Sequence, residues 1–220
     1  MKITWIGHSC FKIEEDGYSL ILDPYEDGSV PGLSDMRETA NEVHCSHDHF
    51  DHNAVQTVTI EPKEKSPFKI TKMMTYHDDE KGAKRGMNFI HVIETDREKI
   101  VHLGDLGCEP EPEQMEAIAG CDVLMIPVGG YYTIDARQAA LLTMQLEPRF
   151  TIPMHYRSAE NHYGFDVLGT VYDFAAYFTN VWIKSESFMD TTDPTPAKVV
   201  VLQAQNQASE MDIPDRSIFR

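Results

Sequence analysis

The segment SHDHFDH, residues 46–52, places three histidines and two aspartates within seven positions. Runs of charged residues usually form solvated turns, and that is the alternative explanation. His47 and His49 favour a metal site, because side chains two positions apart on an extended segment point to the same side and can bind one ion. Asp51 and His52 follow immediately, and a turn into a helix after His49 would direct them to a neighbouring position. The segment therefore predicts a loop that supplies ligands to two metal positions, an arrangement that can hold a bridging hydroxide.

Further ligands are expected at the ends of predicted strands, where a sheet scaffold brings polar side chains together. His77 follows ITKMMTY, Asp105 follows KIVHLG and His155 follows FTIPM. A lone histidine near a strand end is usually structural or exposed, so each of these residues is informative only together with residues 46–52. Taken together, they predict a single site assembled from one loop and three strand ends.

Several of the ten histidines are expected to be ordinary. His8, in GHSCF, follows a strand and is expected to have a structural role or to support a ligand, rather than to bind metal. Asp48 and Asp78 adjoin proposed ligands, and each either orients the neighbouring histidine or lies in an exposed turn. Structural or exposed positions are expected for the other histidines outside the site, namely His44, His91, His102 and His162.

The composition indicates one globular domain, residues 1–220. Hydrophobic residues make up 41% of the chain and charged residues 25%, which is typical of folded globular proteins. The net charge of −17 disfavours binding to nucleic acid or to an anionic membrane. The four cysteines lack paired spacing, and the sequence contains no signal-peptide or membrane-spanning run. These features predict a cytoplasmic protein with free thiols.

Alternating and apolar runs predict a strand-rich chain with few helices. Helical spacing is clearest where Asp135 caps the start of a run and Pro148 ends it. The polar tail from Asn206 onward is expected to be loosely ordered. The pattern favours two sheets packed face to face with helices outside. Predicted helices cover 135–148, 111–120 and part of 165–178, with a short one just after His52; predicted strands cover 2–7, 18–23, 42–46, 70–76, 88–94, 99–105, 122–128, 150–155, 181–184 and 198–203.

Along the chain, HDHFDH is followed by the lone His77, by HLGDLG with Asp105 and by IPMH with His155. This order of motifs resembles the metallo-beta-lactamase fold superfamily. More narrowly, GHSCF, YHDDEKGAKRG, HLGDLG, PVGGYYTID and IPMHYRS look like a branch of small metal-dependent hydrolases related to L-ascorbate-6-phosphate lactonase. The resemblance extends over residues 1–203. It implies an α+β fold, the four-layer αββα sandwich, with the site at one edge between the two sheets.

The resemblance also implies a ligand set and a pair of cofactors. Two divalent metal ions are expected, with zinc as the first choice and manganese, iron or nickel as alternatives, because histidine and carboxylate ligands suit all four. The implied ligands are His47, His49 and His77 for the first ion and Asp51, His52 and His155 for the second, with Asp105 bridging.

The expected activity is hydrolysis, in which a metal-bound hydroxide attacks an ester, lactone, amide or phosphoester of a small, anionic substrate. Asp105 orients the nucleophile, and Asp51 protonates the leaving group directly or through a water. The sequence contains neither a GxSxG serine motif nor a phosphate-binding P-loop. Arg85 and Arg157 are the candidate substrate-binding cations. The alternative for these arginines is pairing with some of the 36 acidic residues.

Two other functions stay open at this point. A di-iron oxidoreductase could use the same ligands but needs an electron donor, and no flavin-binding module follows residue 203. An inactive metal-binding protein is disfavoured by the complete ligand set. The expected partner is a small-molecule substrate, with no nucleic acid and no membrane, and an oligomer stays open. A chain of 220 residues leaves no room for the nuclease domain of RNA-processing relatives.

Overall fold

A computed structural model describes residues 1–158 and 160–208. Its two main sheets have five and seven strands, and a third sheet has two. Each predicted strand is present, whereas the short β4, β6 and β13 and the longer β2 were not predicted. The strands are β1 Lys2–Gly7, β2 Cys10–Glu15, β3 Tyr18–Leu22, β4 Glu38–Ala40, β5 Glu42–His44, β6 Val58–Ile60, β7 Lys69–Tyr76, β8 Met87–Glu94, β9 Lys99–His102, β10 Val123–Pro127, β11 Phe150–Met154, β12 Val181–Ile183, β13 Phe188–Asp190 and β14 Val199–Val201.

The five-stranded sheet has the order β13-β1-β2-β3-β5. β1, β2 and β3 are antiparallel neighbours, and β3 pairs with β5 in parallel. Asp16 and Gly17 join β2 to β3 with φ values of 49° and 74°. Two residues with positive φ form the hairpin turn that Asp-Gly sequences favour. β1, β3 and β5 therefore run in the same direction, and their carboxyl ends lie at one edge of the sheet.

The seven-stranded sheet has the order β12-β14-β11-β10-β9-β8-β7. β9, β10 and β11 are parallel neighbours. β7 and β8 form an antiparallel hairpin, and β8 is also antiparallel to β9. β7, β9 and β11 consequently share a direction. The residues that follow these three strands, including His77, Asp105 and His155, are therefore placed at one edge of this sheet.

The helices are α1 Pro112–Ile118, α2 Ala136–Leu146 and α3 Val171–Ala175. α1 connects β9 to β10 and α2 connects β10 to β11, so right-handed crossovers place both helices on the same outer face of the sheet. Asp135 caps α2 as predicted, because its side chain accepts from the Gln138 N–H. α3 lies within part of 165–178, as predicted, and residues 166–168 form a turn before the capping residue Thr170. A 3₁₀ turn, Val55–Thr57, replaces the short helix predicted after His52.

One apolar cluster extends from Met1 to Ala204, and the chain has the predicted mixed architecture of two main sheets and few helices. In the described part, no helix is long and apolar enough to cross a bilayer. The backbone N–H groups of Asn206 and Ala208 donate to the carbonyls of Ile6 and Gly32, so the start of the predicted loose tail is hydrogen-bonded to the body. Residues 209–220 lie outside the described residues, and a single domain over the whole chain stays a prediction.

Two histidines of the core have structural positions, as expected. His91 on β8 is fully buried, and neither ring nitrogen bonds a described residue. Burial lowers the pKa of His91 to about 3, so the ring is neutral at pH 7. His102, its cross-strand partner on β9, donates from Nε2 to the Ser9 carbonyl and accepts the Gly104 N–H at Nδ1. His102 therefore supports the loop that leads to Asp105.

Candidate metal centre

Asp105 is the centre of a histidine cluster at the edge where the strand ends meet. Its Oδ2 lies 3.0 Å from Nε2 of His155 and 3.3 Å from Nε2 of both His52 and His77. Nε2 of His47 lies 4.0 Å from the same oxygen. Asp105 is only 2% exposed. Residues that are up to 108 positions apart in the sequence thus surround one buried carboxylate.

Apart from a group of Asp23, His47 and His52, which shares its histidines with the others, the potential ligand atoms around Asp105 form two groups, each with its atoms within 4.8 Å of one another. The Asp105 Oδ2 contacts members of both groups, so it lies between two candidate metal positions. This division corresponds to the ligand set implied by the resemblance, with one addition, His8. The groups are His47, His49 and His77, which we call the first position, and His8, Asp51, His52 and His155, which we call the second position.

Hydrogen bonds from the second ring nitrogen orient three of these histidines. Nδ1 of His52 lies 2.8 Å from Asp23 Oδ2, and Nδ1 of His77 lies 3.1 Å from the Tyr132 carbonyl oxygen. Both partners only accept, so each Nδ1 carries a proton and each Nε2 is left to bind a second cation, either a proton or a metal ion. Ser46 Oγ donates to Asp23 and therefore accepts from Nδ1 of His47, 2.9 Å away. Ring orientation of this kind is typical of metal-binding histidines.

Nitrogen lone pairs that face a carboxylate repel it unless a cation lies between them. Nε2 of His47, Nε2 of His52 and Oδ1 of Asp105 are buried and have no hydrogen-bond partner among the described residues. Such atoms are destabilising when left unpaired. Imidazole nitrogens and carboxylate oxygens are the donors that zinc and similar ions prefer. The residues present therefore fit the binding of divalent metal.

The electric field of the site favours cations. Burial alone raises the pKa of Asp105, but the neighbouring His155 and His52 outweigh it and hold that pKa well below its usual range. Burial lowers the pKa of His52, yet the charges of Asp105 and Asp51 raise it overall to well above its ordinary value. Burial and the proximity of His52 lower the pKa of His47 to about 3. The carboxylates that draw a proton onto His52 would attract a divalent ion in the same way.

Asp23 is the supporting residue that the sequence analysis missed. It follows β3 directly, is fully buried, and accepts from the Ser46 N–H at Oδ1 (2.7 Å) as well as from Ser46 Oγ and His52 at Oδ2. Through these bonds it orients His52 directly and His47 through Ser46. The signal was available, because the run YSLILD ends on an aspartate in the way that other strands end on proposed ligands.

Strained backbone marks the same edge. His8, Asp23 and His155 each follow a strand directly, and their φ values are 55°, 47° and 53°. Residues other than glycine rarely adopt this left-handed region, and such strain persists where surrounding contacts fix the conformation. Each of the three side chains faces the histidine cluster, so strained strand ends aim side chains into the site.

The loop before Asp105 packs against the segment that carries His47. Gly104 has a φ of 56°, and a Cβ there would lie 2.3 Å from Asn88 Oδ1 and 2.6 Å from Ser46 Cβ. Asn88 Oδ1 accepts the Asp105 N–H at 2.9 Å. A side chain at position 104 would therefore displace Asn88, which bonds Asp105, and Ser46, which bonds His47.

Gly104→Ala is expected to lower the free energy of unfolding by roughly 2–4 kcal/mol, because it adds overpacking to the left-handed backbone penalty. Bound metal should also decrease. Gly120→Ala is the matched control, since its φ is 59° but no atom lies within 4 Å of the added Cβ. It should cost about 1 kcal/mol and leave metal binding unchanged. Urea unfolding and elemental analysis of both variants test this, and equal effects would contradict it.

Arg85 and exposed aromatic side chains lie near the cluster, since the Tyr132 ring centroid is 6.4 Å from that of His155, and we call this region the mouth of the site. The Arg85 guanidinium lies 5.5 Å from the centroid of the Tyr132 ring, and the Tyr132 carbonyl orients His77. Among the described residues, no carboxylate pairs with Arg85. Tyr131 and Phe50, which stands between two proposed ligands, are 65% and 54% exposed. The mouth thus combines a cation with apolar surface.

The loop that carries Arg85 is organised by Asp78. This aspartate is buried and accepts backbone N–H groups from Glu80, Gly82, Lys84 and Arg85 at 2.7–3.0 Å. It is therefore neither an exposed turn residue nor the partner of the His77 ring. Asp48 is exposed and accepts from the Asn53 amide.

Arg157 lies elsewhere. Its Nε donates to the Leu168 carbonyl at 2.7 Å, and the residue lines a separate cavity of about 200 Å³ with Ser158, Tyr172 and others. No contact joins its side chain to the histidine cluster in the described part of the chain. Of the two candidate substrate-binding arginines, Arg85 therefore lies near the cluster and Arg157 lies in a different cavity.

Comparison with known proteins agrees with this site. The sequence pattern of the beta-lactamase superfamily domain matches residues 2–155. A protein of Pyrobaculum neutrophilum, named a metal-dependent hydrolase, is 30% identical over 193 residues, which cover 72% of this chain and 85% of the relative. A metal-dependent hydrolase of Nitratidesulfovibrio vulgaris is 28% identical over 193 residues, covering 70% and 80%.

A crystal structure from Thermotoga maritima has the same fold. It is described as a candidate zinc-dependent hydrolase of the metallo-beta-lactamase superfamily, with a TM-score of 0.70 and 31% identity. The alignment covers 91% of this chain and 97% of the other. The fold, the histidine and aspartate cluster and these relatives lead to one assignment. The chain belongs to the beta-lactamase superfamily, among its metal-dependent hydrolases with the metallo-beta-lactamase fold.

Proposed function

We propose that the protein hydrolyses an ester, lactone, amide or phosphoester of a small, anionic substrate, with two divalent ions as cofactors. The observation that carries this proposal is the convergence of four histidine Nε2 atoms on the Asp105 carboxylate. Bound divalent ions supply Lewis acidity and lower the pKa of a water ligand towards neutrality. Every residue of the two positions, together with Asp105, is proposed as a metal ligand except His8.

Asp105 and Asp51 are the proposed catalytic carboxylates. Asp105 uses Oδ2 between the two positions, while its Oδ1 is buried and without a partner among the described residues, so Oδ1 can orient the attacking oxygen. Asp51 has a more exposed side chain than Asp105, 12% against 3%. We assign to it the transfer of the proton that the attacking water loses to the leaving group, directly or through a second water.

Zinc is the proposed metal. The donor set of imidazole and carboxylate suits zinc, and the Thermotoga maritima relative is described as a candidate zinc-dependent hydrolase. Manganese, iron and nickel accept the same donors. Elemental analysis of protein purified without added metal identifies the ion.

The substrate is proposed to be small and anionic, and a phosphorylated sugar lactone is the first compound to screen. Arg85 supplies the cation at the mouth, because a guanidinium binds carboxylate or phosphate with two hydrogen bonds. The exposed rings of Tyr131 and Phe50 favour an apolar or ring-shaped portion of the substrate. The net charge of −17 disfavours polymeric nucleic acid.

Arg85→Ala is expected to raise KM for anionic substrates about 10-fold or more, while neutral lactones change little, because only the anion loses a charged hydrogen bond. Arg157→Ala is the comparison variant and should have the smaller effect, since its Nε bonds the Leu168 carbonyl in another cavity. Equal losses on charged and neutral substrates would mean that Arg85 is structural.

Metal removal tests the proposed function as a whole. A chelator should abolish turnover in a screen of lactones, phosphodiesters and amides, and added zinc should restore it. Zinc should also raise the unfolding temperature, because an ion that binds only the folded state stabilises it. Full activity in the metal-free protein would contradict a metal-dependent hydrolysis. Bound iron with oxygen consumption would indicate an oxidoreductase instead, and bound metal without any turnover would indicate an inactive binding protein.

A further inference from the structure

His8 joins the second position although neither the sequence pattern nor the implied ligand set includes it. It follows β1 directly, its φ is 55°, and its side chain is fully buried. Its carbonyl accepts the His155 N–H at 3.2 Å and the Trp5 indole N–H at 2.9 Å. The bond from His155 connects the carboxyl ends of β1 and β11, which belong to different sheets. The backbone of His8 is therefore fixed next to the backbone of His155.

The His8 ring is aimed at Asp51. Its Nε2 lies 3.2 Å from Asp51 Oδ2, and within the described residues this is the side-chain hydrogen bond that Asp51 makes. The ring centroid lies 4.2 Å from that of His155 and 5.6 Å from that of Phe165. The aromatic neighbours restrain the position and plane of the ring, and in this position Nε2 faces the carboxylate.

We infer that His8 is a positioning residue, which donates from Nε2 to Asp51 and holds that carboxylate at the second position. A carboxylate only accepts, so Nε2 carries the proton and has no lone pair for a metal. This assignment leaves Nδ1 buried without a partner among the described residues. An apolar ring would fill the same space without that cost, so the histidine is explained by its bond to Asp51. The inference rests on the proposed function, because it assumes that Asp51 binds metal.

Without His8, the second position should weaken selectively. Within the described residues Asp51 makes its side-chain hydrogen bond to His8, so loss of this bond would let Asp51 turn away from the second position. The first position, His47, His49 and His77, has no contact with the His8 ring in the described chain. Removing a hydrogen bond that orients a metal ligand typically costs about 10- to 100-fold in metal affinity.

His8→Phe and His8→Gln separate positioning from packing. Phe keeps a ring but cannot donate, whereas the Gln amide can donate from about the place of Nε2. Zinc titration and the absorption spectrum of the cobalt-substituted protein measure binding at the two positions. In His8→Phe the Kd of the second ion should rise about 10- to 100-fold, while the Kd of the first ion stays unchanged. His8→Gln should restore most of the second-site affinity. His91→Phe, another buried histidine replaced in the core, should bind both ions like the wild type.

A measurement on the wild type covers the case in which a variant does not fold. Long-range ¹H–¹⁵N spectra of the zinc-loaded protein should show His8 protonated at Nε2 and not at Nδ1. Protonation at Nδ1 with an unprotonated Nε2 would overturn the inference, since His8 would then be a ligand. Zinc binding by His8→Phe equal to that of the wild type would overturn it too. A wild-type chain that binds no zinc or other divalent ion would instead contradict the proposed function.

Discussion

Asp105→Asn is expected to lower metal occupancy at both positions and to reduce hydrolytic activity by at least about 100-fold. Oδ2 of Asp105 lies 3.3 Å from Nε2 of His77 in the first position and 3.0 Å from Nε2 of His155 in the second. An amide removes the negative charge that draws cations between these nitrogens. An amide also has only one carbonyl oxygen to offer where Asp105 offers two carboxylate oxygens. Both ions should therefore be lost together.

Elemental analysis after dialysis, combined with turnover of the substrate found in the screen, measures this effect. Asp122→Asn is the control, because Asp122 accepts the Lys99 N–H at 2.8 Å outside the cluster. That variant should keep its metal and its activity. Undiminished turnover of Asp105→Asn would remove Asp105 from the site.

Asp23→Asn is expected to weaken metal binding about 10- to 100-fold, although Asp23 itself is not a proposed ligand. Both oxygens of Asp23 accept: Oδ1 from the Ser46 N–H, and Oδ2 from Ser46 Oγ and Nδ1 of His52. An amide can replace only one of these oxygens. If its NH₂ takes the place of Oδ1, it faces the Ser46 N–H, which is also a donor. If its NH₂ takes the place of Oδ2, it donates to Nδ1 of His52 and moves the ring proton to Nε2, which removes the lone pair that would bind metal.

Zinc titration of Asp23→Asn tests this reasoning, and the ¹⁵N shifts of His52 report the change of tautomer. Asp135→Asn is a matched control, because asparagine caps helices as well as aspartate does and one acceptor oxygen is enough for the Gln138 N–H. Asp135→Asn should bind zinc like the wild type. Unchanged zinc affinity in Asp23→Asn would show that the orientation of His52 does not depend on Asp23.

Local patterns predicted much of this fold. Alternation and apolar runs located β1, β3, β7, β8, β10 and β11 to within about a residue or two at each end. Asp135 and its capping box marked the start of α2, because a cap depends on neighbours only three positions away. α3 lies within the predicted range, but its start at Val171 could not be located, since the turn before it depends on contacts with distant segments such as Gly129, whose carbonyl accepts the Gly169 N–H. The three-residue strands β4, β6 and β13 lie outside any longer apolar run, whereas the equally short β5, β12 and β14 lie within the predicted runs 42–46, 181–184 and 198–203.

The sequence by itself determined which chemistry is available: the spacing of His47, His49, Asp51 and His52 and the polar ends of three predicted strands are local features. Only the tertiary structure decided which polar residues meet. Strand direction and sheet order brought Asp23 and His8 to the same edge as Asp105, and they left Arg157 in another cavity while Arg85 stayed at the mouth. The physical reason is that a periodic pattern depends only on the neighbours of a residue along the chain. Strand pairing between residues 100 positions or more apart depends on packing of the whole core, and the pairing of Lys2 with Asp190 is an example.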